Sequence, residues 1–158
     1  MRADPEAERE IITSLEELFH LYGTGDVDGV MARLVPDDDV TLMEPAAHQF
    51  FVGHDAVRRG IELDWDGTEG NIPMRITTRH VSKDGHIAWV NGELEVGINV
   101  HGRQLLLDCN RFTAIARNEG GRWLWHTVSI LLMDPEQPPD QPWNDRTISE
   151  RLAAAPKN

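Results

Sequence analysis

The chain has 158 residues, the size of one domain, and leaves no room for two ordinary hydrophobic cores. Its 27 acidic residues against 15 Lys and Arg give a formal net charge of −12 with no basic patch, which argues against nucleic acid and anionic membranes as partners. A single cysteine, Cys109, excludes an intramolecular disulfide, a cysteine-based zinc site and an iron–sulfur cluster.

Asp4-Pro5-Glu6 reads as a helix start, with a capping Asp, Pro at the first helical position and acids facing the positive helix end. This opening is an acidic helix rather than a signal peptide, and no apolar run approaches the roughly 18 residues of a membrane span. A cytoplasmic protein is therefore expected. Ile11, Leu15, Leu18, Phe19 and Tyr22 recur at helical spacing as one apolar stripe, and Gly23 and Gly25 end the helix. Asp26 caps a short second helix with Val27, Val30, Met31 and Leu34 inward, stopped by Pro36. Residues 40–44 read as a short strand broken by Pro45, with residues 49–52 as its hairpin partner. A third helix is predicted over residues 55–65, with Val57, Ile61 and Trp65 on one face.

Beyond Gly70 the composition shifts to long runs rich in β-branched and aromatic residues, over 72–82, 86–100, 103–117 and 121–133. Lys83-Asp84-Gly85, His101-Gly102 and Asn118-Glu119-Gly120-Gly121 supply the turns between them. The class is α+β, an antiparallel meander preceded by helices. A sheet this long must curl, and the three N-terminal helices must cover its concave face. The result is a cone with a small-molecule pocket at its open end. The expected organisation is one cone domain over 1–134 and a Pro-rich tail over 135–158. The tail carries a weak helix near 146–155 and drapes over the surface or a partner subunit.

The segments Gly25-Asp26-Val27-Asp28-Gly29-Val30, Val40-Thr41-Leu42-Met43-Glu44-Pro45, Phe51-Val52-Gly53-His54-Asp55-Ala56-Val57 and Arg111-Phe112-Thr113 with Gly120-Gly121-Arg122-Trp123 stand in a particular order and spacing. In that order the chain resembles the nuclear transport factor 2-like superfamily, in its SnoaL-like and ketosteroid-isomerase-like branches, over about residues 8 to 133. The resemblance implies the cystatin-like cone. It does not settle function, because the superfamily holds isomerases, dehydratases, cyclases, epoxide hydrolases and non-catalytic domains.

Three residues are candidate catalytic groups. By resemblance, Glu44 occupies the position of the carboxylate base of ketosteroid isomerases. At the rim of an apolar cone it would be desolvated and its pKa raised; the alternative is a solvated strand-end acid. Asp108 stands where the same enzymes hold a protonated acid that donates to a developing oxyanion, or else it pairs with an arginine on the outer sheet. Alternation groups Asp108 with Asn110, Phe112 and Ala114. His126 shares a face with Leu124, Val128 and Ile130, which family geometry turns toward the cavity, as a proton shuttle or as a core histidine bound to a backbone carbonyl.

Trp65, Asn110 and Tyr22 are candidate ligand-binding residues, Trp65 capping the pocket mouth or packing in the core. The tyrosine that donates to the oxyanion in ketosteroid isomerases corresponds to Leu18, with Tyr22 a turn away. The residue sets of limonene-type epoxide hydrolases are absent, and the His-x-His pattern of many SnoaL-like proteins is replaced by Thr127 and Ser129. These departures argue against ketosteroid isomerase activity itself.

No ligand spacing for a metal, phosphate-cradling loop, dinucleotide fingerprint or nucleophile elbow occurs, so no cofactor and no metal are expected. An apolar strand setting would keep Cys109 a neutral thiol. Trp89, Trp123 and Trp125 on long strands read as core or dimer packing, with Trp123 at the family's packing tryptophan, and they point to a homodimer through the outer sheet face. Two readings of the whole remain open. One is a cofactor-independent acid–base isomerase, cyclase or dehydratase acting on a small hydrophobic molecule. The other is a non-catalytic ligand-binding or dimerisation module.

Overall fold

The computed structural model describes residues 1–45, 48–68 and 71–133. The Pro-rich segment after residue 134, with the helix predicted near 146–155, lies outside the described residues, as does the side chain of Cys109.

Helix α1 spans Pro5–Gly23, with the Asp4 carboxylate accepting from the backbone of Glu6 and Ala7 at 3.1 and 3.0 Å. Helix α2 is a single turn and a half, Val27–Met31, capped by Asp26 on the amide of Gly29. The short strands β1 (Thr41–Met43) and β2 (Phe50–Val52) form a hairpin, and α3 follows over His54–Gly67. Four long strands complete the described residues: β3 (Met74–Asp84), β4 (Ile87–Val100), β5 (Arg103–Glu119) and β6 (Arg122–Leu132). His101 and Gly102, and then Gly120 and Gly121, turn the last two hairpins with positive φ at both central residues, the backbone that matches strand twist. No helix among the described residues is long and apolar enough to cross a membrane.

The six strands among the described residues join one sheet in the order β2-β1-β6-β5-β4-β3. The meander β3 to β6 is antiparallel throughout, while β1 runs parallel to β6 with Thr41 opposite Thr127. The concave face is built in rows: Ala88, Ala116 and Trp125 in one, Val90, Ala114 and Val128 in the next, then Gly92, Phe112 and Ile130. Small residues in the first two rows let α1 lie close, and its Ile11, Leu15, Leu18 and Phe19 fill the trough. Phe19 meets Phe112 edge to face, with ring centroids 5.7 Å apart.

Two register shifts decide which side chains face inward. Between Leu94 and Val96 of β4, residues 108 and 109 of β5 oppose a single partner. Beside Ile115 and Ala116, His126 of β6 is the extra residue. Each bulge flips the alternation and deepens the curl. Trp123 and Trp125 thus point inward, at 6% and 0% exposure, rather than onto the outer face. Of the three tryptophans that suggested a sheet-face dimer, only Trp89 stands among the outward residues, opposite Ile115.

Gly92 sits where the backbone of β3 approaches most closely: a Cβ there would lie 2.2 Å from the Thr78 carbonyl oxygen and 2.8 Å from the Phe112 ring. Gly92→Ala is expected to lower unfolding free energy by about 1–3 kcal/mol, since neither neighbour can yield without moving the sheet. Urea unfolding measures it, and an unchanged midpoint would contradict the close approach.

Candidate functional site

The open end of the cone holds two chambers that meet at Tyr22, Glu44, Met74 and Ile130. The inner chamber, under α1, is almost wholly apolar, walled by residues such as Leu18, Phe19, Leu42 and Val57, and its free space of about 30 Å³ suits one or two waters. The outer chamber, about 150 Å³, adds Gln49, Asp64, Thr68 and Asn110 to walls of Ile72, Val96, Ile98 and Leu107. This pattern of apolar walls with a few converging polar groups is that of a small-molecule site.

Three elements bring the polar groups together. Glu44 follows β1 directly, its amide donating to the Gln49 carbonyl at 2.9 Å across the hairpin. Tyr22 lies in the last turn of α1, and Asp64 in the C-terminal part of α3. The Tyr22 hydroxyl is 3.0 Å from Glu44 Oε1 and also bonds Asp64 Oδ2. Gln49 Nε2 donates to Asp64 Oδ1 at 3.3 Å. Behind them Trp65 Nε1 donates to the Tyr22 carbonyl at 2.8 Å, and its ring packs edge-on against the Tyr22 ring.

The electrostatics follow from burial. Desolvation is the main cause raising the Glu44 carboxyl to about 9, reinforced by its hydrogen bond to Asp64 and by the charge of Asp64, with Tyr22 pulling weakly the other way. Desolvation likewise pushes the Tyr22 phenol well above its ordinary value, and both carboxylates add to that. One hydroxyl cannot donate to two carboxylates at once, so the cluster needs a second proton, and Glu44 holds it at neutral pH. Glu44 Oε2 is buried at the junction with no hydrogen-bond partner.

Glu44 and Tyr22 therefore meet in one cluster, and Asn110 faces the same outer chamber. The Asn110 amide is buried and donates to the carbonyls of Leu107 and Leu94 at 2.8 and 3.4 Å, holding the β5 bulge. Trp65 lines neither chamber and instead supports Tyr22 from behind. Asp108 does not share the Asn110 face: the two-residue bulge turns it outward, where it is exposed. His126 also lies away from the cavity, because it is the extra residue of the β6 bulge. Its Nε2 is 3.1 Å from Asp39 and its Nδ1 2.9 Å from the Thr127 hydroxyl.

Asp64 and Gln49 are the site residues that sequence reasoning missed. The signal for Asp64 was present: Val57, Ile61 and Asp64 stand at i, i+4 and i+7, which puts an acid on the buried face of α3. Among the described residues, Asp37, Asp39 and His126 are close enough to share a cation, outside the cone. Asp37 is already engaged there by the Arg117 guanidinium at 2.7 and 3.1 Å, which holds its carboxyl below the usual range.

The sequence profile of the SnoaL-like domain matches residues 11–133. No curated protein sequence matches the chain. Among solved structures, the chain is similar to a protein provisionally named a dehydratase of the NTF2-like family from Streptomyces avermitilis, at 18% identity and TM-score 0.72, covering 83% of this chain and 99% of that one. It is similar also to a provisionally named aromatic ring hydroxylase from Novosphingobium aromaticivorans, at 16% identity and TM-score 0.73, covering 85% and 94%. A third is a protein of unknown function with a cystatin-like fold from Nostoc punctiforme, at 16% identity and TM-score 0.68, covering 87% and 98%. At these identities the likeness is one of fold.

Because the folded pKa of Glu44 lies above its ordinary 4.5, the native state binds this proton more tightly than the unfolded chain does. The resulting stabilisation is complete below the ordinary value and is lost as pH climbs toward about 9. Glu44→Gln, which mimics the protonated acid, is expected to match the parent in melting temperature at acid pH and to exceed it increasingly as pH rises through that window. Melting curves that stay parallel across the window would contradict the buried, proton-holding Glu44.

Proposed function

Since the match across residues 11–133 makes this chain a member of the SnoaL-like family, we propose that its cone binds a small, largely hydrophobic molecule and moves a proton on it by acid–base chemistry of its own side chains. The observation that carries this reading is the meeting of two carboxyl groups, Glu44 and Asp64, on the Tyr22 hydroxyl where two largely apolar chambers join, with burial raising the Glu44 carboxyl. Such a pair contains a donor and an acceptor side by side, so it can take a proton from one atom of a ligand and return one to another. Tyr22, kept neutral by its surroundings, bridges them and relays hydrogen bonds as the proton shifts. Isomerisation, cyclisation and dehydration of a carbonyl compound all need these two transfers. The name given to one fold neighbour, a dehydratase, is compatible with that class.

The experiment is deuterium exchange at the α-carbon of a bicyclic ketone, α-tetralone, in D₂O, followed by proton NMR. The native chain is expected to accelerate exchange over buffer, and Glu44→Gln and Asp64→Asn each to slow it by about 10²–10⁴-fold. Ketone binding with exchange no faster than buffer would replace this reading with the non-catalytic binding module.

In the same proposal the chain pairs with a second copy through the outer sheet face, where Trp89, Ile115 and Leu131 stand on β4, β5 and β6 and the latter two are 36% and 57% exposed. Sedimentation at micromolar concentration is expected to give twice the 17.8 kDa chain mass. A monomer would remove the dimer and leave the pocket reading in place.

A further inference from the structure

The two chambers carry a charge imbalance. Glu44 lies at the junction and Asp64 beside it in the outer chamber, where the Asp64 charge is one of the causes raising the Glu44 carboxyl. No lysine, arginine or histidine is among the described residues lining either chamber. The Asp64 carboxylate accepts from two neutral donors, the Tyr22 hydroxyl and the Gln49 amide. Asp64 is half-buried, and a carboxylate in such surroundings without a countercharge is a natural partner for a bound cation. Glu44 Oε2, buried and without a partner at the shared wall, is a further acceptor waiting for an N–H. Around these acceptors the outer chamber is hydrocarbon, and the whole chain, at −12, disfavours an approaching anion.

We propose that the ligand of this cone is a hydrophobic amine bound in its protonated form, with the ammonium between Asp64 and Glu44 and the hydrocarbon against Ile72, Val96, Ile98 and Leu107. The inference rests on the reading of the cone as a small-molecule site and names the ligand class that this site selects. It has a consequence for the proton. The groups that face Glu44 are Tyr22 from α1, Asp64 from α3, Gln49 from the β1–β2 connection, Asn110 from β5 and Ile130 from β6. Of these, the ionisable side chains are the Tyr22 phenol and the Asp64 carboxyl, beside Glu44 itself. An ammonium paired with Asp64 cancels a charge that reinforces the effect of burial on Glu44 and sets a cation beside that carboxyl, and both changes favour release of the Glu44 proton as the amine binds. A substrate of this class would thereby convert Glu44 from proton donor to base at neutral pH.

The test is titration calorimetry of the full chain at pH 7.5 with three ligands on one skeleton: 2-aminoindane, 2-indanol and indane-2-carboxylate. Running each in phosphate and in Tris, whose ionisation heats differ, counts the protons released. The amine is expected to bind at least about tenfold more tightly than the alcohol and to release up to one proton, while the alcohol releases none and the carboxylate binds most weakly. Asp64→Asn is expected to abolish the preference for the amine and keep the alcohol affinity. An amine no tighter than the alcohol, or a carboxylate as tight as the amine, overturns the proposal while alcohol binding upholds the small-molecule reading. Failure of all three to bind would bring down both.

Discussion

Everything in the cone depends on how Trp125 is held. Its indole is completely buried beneath α1, with Nε1 donating to the Ser14 hydroxyl, which in turn donates to the Trp123 carbonyl, each at 3.2 Å. Its backbone pairs on the other side with the stretch that follows α2, donating to Arg33 and accepting from Val35. One residue therefore ties together the first helix, the entry to β1 and the last strand. That junction is non-local, and once made it sets the parallel register of β1 on β6. Glu44 lies one residue past the end of β1, so its position over the chambers is inherited from a tryptophan that it never touches.

The site built on this frame runs against the usual rules for a core. Two carboxyl groups and a phenol share a pocket walled by leucine, isoleucine and valine, and desolvation penalises ionisation of Glu44 and Tyr22 there. The fold accommodates them by retaining a proton on Glu44 and by giving Asp64 two neutral donors. Such a cluster weakens the protein at alkaline pH and contributes nothing to packing that hydrocarbon would not do better. Physical cost of that kind is ordinary at positions where a protein binds or moves protons.

The bulges in β4–β5 and β5–β6 act at the same level. Each lets an extra residue into one strand, so the strand bends and its alternation changes phase. The bend closes the sheet around α1. The change of phase brings Leu107 and Asn110 both to the outer chamber and turns Asp108 away from it. At the other bulge it sets Trp125 and Val128 on the inner face, three residues apart, with His126 excluded toward Asp39. Shape and chemistry of the pocket come from the same two irregularities.

The sequence by itself determined the elements and the family. Helical spacing in α1, the cap at Asp4, glycines at the turns and long β-branched runs are local properties, written within a few residues of where they act. The motifs between residues 25 and 123 carried the SnoaL-like resemblance in the same local way. Glu44 was legible too, through the resemblance, as the acid before Pro45 at the position of the isomerases' base. What only the tertiary structure decided was which other groups meet it. Asp64 comes from α3 and Tyr22 from α1, 20 and 22 residues away from Glu44 in the chain. Nothing local records that they converge. Asp108 and His126 were misplaced because strict alternation assumes an unbroken ladder, and a bulge is a balance of sheet curvature and packing over several strands. Periodicity describes one strand at a time, whereas the phase of a bulged strand belongs to the whole sheet.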